Sequence, residues 1–162
     1  MTEGWNEFYV AVAGAAAALA GLIIVAMSVT IKEILASKSL PSRAAATISS
    51  MALILLLAIF GLIPHQTDVL LGIEIIVASA VGMVPVLVMS QRVLTDTALH
   101  TASATRWFRV FVGILPVALS LVGGFLVVAG SPTGLVLVAA TIALVFVTSM
   151  LNAWVLLVEV QR

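Results

Sequence analysis

Residues 44–91 read AAATISSMALILLLAIFGLIPHQTDVLLGIEIIVASAVGMVPVLVMSQ, without one Lys or Arg. Two apolar runs meet in this stretch at Pro64-His65-Gln66-Thr67-Asp68. Each run is long enough to cross the bilayer hydrocarbon, which takes about 20 helical residues. Pro64 disfavours further helix before it, and Thr67 or Asp68 can cap the helix that follows. The bases flank this stretch: Lys32, Lys38 and Arg43 precede it, and Arg92, Arg106 and Arg109 follow it. A base-free turn between basic connections is the pattern of a polytopic membrane protein inserted in one fixed orientation.

The rest of the chain extends the pattern. Hydrophobic residues make up 63% of it and charged residues 9%, with a mean hydropathy of +1.30. A water-soluble domain could not dissolve such a surface, whereas spans in lipid need no polar coat. The predicted spans are about 8–30, 44–64, 70–90, 108–129 and 134–158, with ends placed to within roughly 2–4 residues. Together they make residues 1–162 one all-α transmembrane domain of five helices. The acidic opening MTEGWNE has the wrong sign for a signal peptide, so the first run reads as a retained span. Pro41 is placed to start the second helix, and Ser131-Pro132 the fifth. The third connection, residues 91–107, is the one with room for a short surface helix.

Orientation follows from charge. An odd number of spans puts the termini on opposite sides, and the positive-inside rule places the basic connections in the cytoplasm. The N-terminus is then outside and the C-terminus inside. All seven bases share the inner side with Glu33, Asp96 and Glu159, while the outer side holds Glu3, Glu7, Asp68 and Glu74 and no base. Trp5 and Tyr9 are expected in the outer aromatic belt, and Trp107 and Trp154 in the inner one.

Helical spacing aligns small or polar residues on one face of every span. Gly14, Ala18 and Gly21 in the first, Gly61 in the second, Gly82 in the third and Gly113 in the fourth are the expected points of close helix packing. Small residues let backbones approach where lipid removes the hydrophobic drive to associate. Pro85 and Pro116 fall inside spans as kinks and candidate hinges. In the fifth span Thr141, Thr148, Asn152 and Glu159 share a face. Thr148 and Asn152 are candidates for a transport pathway, or for bonds to their own or a neighbouring helix.

Glu74 is the one charge well inside an apolar run, about 9 Å along the helix from Asp68. A charge at the bilayer centre costs roughly 2.5–3.5 kcal/mol on insertion scales, which marks such a residue as functional. Glu74 enters the hydrocarbon by only about one turn, however, and reads equally as a buried hydrogen-bonded or interfacial carboxylate. Glu7 and His65 belong to the same outer end, and a Glu7–His65–Glu74 group would attract cations or respond to pH near neutrality. Nothing in its spacing requires a metal. Arg106 and Arg109, beside Trp107, suit anionic lipid headgroups at the inner surface. His100, in the inner loop, cannot share a site with His65.

Other chemistries find no support in the residues. With no cysteine there are no disulfides, thiolate ligands or cysteine nucleophiles. Metalloprotease, serine-hydrolase and phosphate-loop motifs are missing, so no catalytic residue or cofactor is assigned and the chain reads as a non-enzyme. Nucleic-acid binding would need a basic domain or an aromatic platform.

The segments Trp5-Asn-Glu-Phe8, Ala13 to Gly21 (AGAAAALAG), Leu40-Pro-Ser-Arg-Ala44 and Asn152 to Glu159 (NAWVLLVE) resemble a group of small, uncharacterised bacterial membrane proteins. The resemblance covers the first two spans and the tail. It implies a bacterial inner membrane and carries no activity. Five small-striped helices enclose little by themselves, so the expected function is a homo-oligomeric channel or small transporter for cations or protons, with an acidic outer mouth. The alternatives are an accessory protein binding another membrane protein through those stripes, and a lipid-binding or lipid-modifying protein.

Overall fold

The computed structural model describes residues 4–29, 31–36, 40–95 and 103–160. They form six helices: α1 (Asn6–Val29), α2 (Ile31–Ala36), α3 (Leu40–Gly61), α4 (Asp68–Thr95), α5 (Ser103–Val128) and α6 (Thr133–Val160). All but α2 contain a stretch long and apolar enough to cross a membrane. Among the described residues the short helix lies in the first connection; the expectation of one in the third falls on residues 96–102, outside the described part. In the first connection Ile31, Ile34 and Leu35 supply an i, i+3, i+4 apolar set, while α4 runs on to Thr95 and α5 begins at Ser103. Residues 96–102, with His100, lie outside the described part.

Local chemistry sets the turns. The last turn of α3 tightens, with Leu62 N–H donating to Ile59 O and Ile63 N–H to Phe60 O. The helix stops at Gly61, short of the expected residue 64, because the residue before a proline avoids the α region. Thr67 caps α4: its Oγ1 accepts the Leu70 N–H at 3.3 Å, three residues on. α5 ends in a Schellman arrangement, with Ser131 N–H bonded to Leu126 O and Gly130 N–H to Val127 O. Gly130 supplies the left-handed residue this needs, at φ 77°.

The long helices alternate in direction, as the close contacts record. Gly61 near the end of α3 abuts Tyr9 near the start of α1, and Gly124 near the end of α5 abuts Gly72 in the first turns of α4. Lower on the same pair Ser79 meets Ser120, and Gly113 faces Val86. Around the bundle α3 packs on α4, α4 on α5, α5 on α6 and α6 back on α3, closing a ring of four helices. α1 leans on the outside of α3, touches α6 lightly, and is the least buried of the five spans.

The ring is filled. Ile54, Leu57, Ile75, Val127, Val138 and Ile142 are all buried at its centre. Its outer surface is apolar as well, with Val81, Phe125 and Val147 exposed. An apolar exterior around a packed apolar interior suits a lipid solvent, and Trp107 and Trp154 stand exposed at one end of it. Tyr9, near the same end as Trp5, is turned into the chain. It is 1% exposed, lies on Gly61 and packs its ring against Trp5 and Phe8.

Candidate functional site

Because the long helices alternate, the start of α1, the α3–α4 turn and the α5–α6 turn gather at one end of the bundle. Every Lys and Arg belongs by sequence to the opposite end or to the C-terminus. The first end therefore carries acids without bases. Glu7 is exposed in the first turn of α1, and Asp68 is half-buried at the start of α4.

Glu74 is the innermost carboxylate of that end. The Thr67 cap starts α4 so that Glu74 falls two turns in, at helical spacing from Leu71 and Ala78, which are both buried. It is half-buried, and its Oε2 accepts a hydrogen bond from the Gln66 side-chain amide. The turn makes this reach possible. His65, the residue before Gln66, adopts the left-handed φ of 57° in this turn. The Gln66 amide orients the carboxylate.

His65 itself is exposed, and the structure gives it a backbone role in that turn. The partner of Glu74 is thus Gln66 rather than His65 or Glu7. Among the described residues no three His, Asp or Glu side chains converge as a metal site.

The other expected residues divide. Gly61 lies against the Tyr9 ring and Gly82 against Leu53 of α3. Gly113 makes only ordinary contact, with Val86. The expectation for Gly14, Ala18 and Gly21 is corrected within the chain. All three are exposed, and both glycines have nothing within 4 Å of where a side chain would begin. α1 instead turns Tyr9, Val12, Ala16, Ile23 and Met27 inward, four large side chains and one alanine that pack in the common core.

Thr148 bonds its own helix, Oγ1 donating to Leu144 O at 2.9 Å and alternatively Val145 O at 3.1 Å. Asn152 is half-buried near the same end of α6. Pro85 and Pro116 are accommodated inside continuous helices. Arg106 and Arg109 belong to the first two turns of α5, and their side chains, with that of Glu159, lie outside the described part.

Two polar contacts were not anticipated from sequence. The Ser79 and Ser120 hydroxyls bond each other in the α4–α5 interface, both fully buried. Thr141 Oγ1 donates to Pro116 O at 3.1 Å across α5–α6. The available signal was that Ser79 and Thr141 are isolated hydroxyls in apolar runs, where an unpaired polar group is costly. Compared with family models, with curated proteins and with solved structures, the chain matches none.

Proposed function

We propose that the chain is one subunit of a homo-oligomeric channel or small transporter for cations or protons, in a bacterial inner membrane. Its N-terminus and acidic end face outward, and its basic end and C-terminus face the cytoplasm, as the distribution of Lys and Arg favours. The observation that carries the reading is Glu74: a half-buried carboxylate, oriented by the neutral Gln66 amide, at an end whose sequence segments contain no base. Such a group draws cations toward the bilayer and can take up and release a proton.

The filled four-helix ring favours a pathway between subunits over one through a single subunit. The exposed small face of α1 offers the surface for such assembly. That same face favours the second reading, an accessory subunit seated on another membrane protein.

Purified protein in liposomes is the test. Cation or proton flux is expected, and Glu74→Gln should change its rate or pH dependence while keeping the Gln66 hydrogen bond. Absence of flux for H⁺, Na⁺, K⁺ and Mg²⁺ from a folded, oligomeric sample would remove the channel reading. A monomer that co-purifies in fixed ratio with a larger membrane protein would establish the accessory one.

A further inference from the structure

α1 and α3 meet closely at Tyr9 and Gly61, yet at the opposite end they part around α2. The space between them is an open groove of about 540 Å³, walled by Met27 of α1, Ile34 and Leu35 of α2, and Pro41, Ala45 and Ile48 of α3. The lining is apolar except for Ser28, and the Ser28 hydroxyl is already committed to Ile24 O at 2.7 Å. A groove with no free polar group selects a hydrocarbon occupant.

Charge beside the groove adds a headgroup preference. Lys32 is exposed on α2, one residue from Ile31 and three from Leu35, which both line the groove. Basic groups at the end of a membrane span attract anionic headgroups, each contributing about 1 kcal/mol near the surface.

We propose that this groove is a binding site for one anionic phospholipid. An acyl chain lies between α1 and α3 over α2, and the headgroup phosphate pairs with Lys32. Apolar burial of the chain provides retention, at roughly 0.8 kcal/mol per buried methylene, and the lysine provides headgroup selectivity. The site is at the opposite end from Glu74 and stands whether or not the chain conducts ions.

The test is native mass spectrometry of the whole protein released from mild detergent, with bound lipid identified by fragmentation. One phospholipid per chain is expected, enriched in anionic over zwitterionic headgroups relative to the membrane of origin. Ala45→Phe fills the groove from an exposed position and should lower occupancy at least tenfold. Lys32→Gln should retain lipid but lose the anionic enrichment.

A second measurement needs no variant: phosphatidylglycerol with a photoreactive acyl chain should crosslink to peptides spanning Ile24–Ile48. Wild-type protein free of lipid, occupancy unchanged by Ala45→Phe, or crosslinks confined to α4–α6 would overturn the site. So would a crosslink placing a second copy of the chain in the groove. Unchanged headgroup preference in Lys32→Gln would overturn the pairing with Lys32.

Discussion

Gly72 and Gly124 bring the backbones of α4 and α5 into reciprocal contact. A β-carbon at Gly72 would lie 2.8 Å from the Gly124 carbonyl oxygen, and one at Gly124 would lie 3.1 Å from the Gly72 carbonyl oxygen. The same device joins α5 to α6, where a β-carbon at Gly134 would come within 2.6 Å of Gly123 O. Backbone cannot swing aside as a side chain can, so these contacts fix the spacing of three helices. They also surround the acidic end and so hold α4, with Glu74, in place.

Gly72→Ala and Gly134→Ala should each lower stability by about 1–3 kcal/mol, the range for overpacking a filled interior. Gly14→Ala, facing open space, should cost nothing measurable beyond a small gain in helix propensity. Reversible unfolding in mixed micelles, followed by circular dichroism, ranks the three. Equal stabilities would contradict the close packing.

Thr141 should tolerate Ser and resist Val. Thr141→Val keeps the shape but removes the donor to Pro116 O, at a cost of about 0.6–2 kcal/mol for an interhelical bond in lipid. Thr141→Ser keeps the hydroxyl and should lose less. The same unfolding assay reads the difference, and a valine variant as stable as wild type would dismiss the bond.

His65 should behave as a turn residue in stability measurements. An L-residue in the left-handed region costs roughly 1–2 kcal/mol, least for residues with short polar side chains. His65→Gly and His65→Asn are therefore expected to match or exceed wild type, and His65→Val to fall below it by about 1 kcal/mol. The reverse order would mean that the imidazole makes a contact worth more than the backbone strain.

Gly14→Leu and Ala18→Leu should separate assembly from folding. Their positions are exposed, so the isolated subunit should keep its unfolding transition, while an oligomer formed through α1 should dissociate in detergent. Light scattering with refractive-index correction gives the protein mass. An unchanged oligomer would place assembly elsewhere, and a lost fold would mean that this face packs within the chain after all.

Much of the architecture was legible in single residues. Pro64 and the Thr67 cap bounded α3 and α4, and Gly130-Ser131-Pro132 marked the last hairpin, because turns and caps depend on chemistry local in sequence. Glu74 stood out for the same reason, as a charge in an apolar run. Its partner was harder to choose: Gln66, His65 and Glu7 were all available at that end, and the folded turn pairs it with Gln66. Helix faces were the least legible. Gly14, Ala18 and Gly21 form a better small-residue stripe than Gly72 or Gly123, yet the latter make the close contacts.

By itself, then, the sequence determined a bundle of five long apolar helices, the positions of its turns, and the segregation of acids from bases along the chain. These depend on run length, local backbone preference and charge, all of which act within a few residues. Tertiary structure alone decided that α3 to α6 close into a ring, that α1 leaves Gly14, Ala18 and Gly21 on its exposed side, and that Gln66 holds Glu74. It also opened the groove beside Lys32. In lipid every face of such a helix is apolar, so hydropathy does not say which face is buried. Shape complementarity between distant residues makes that choice, and it exists only once the helices are side by side.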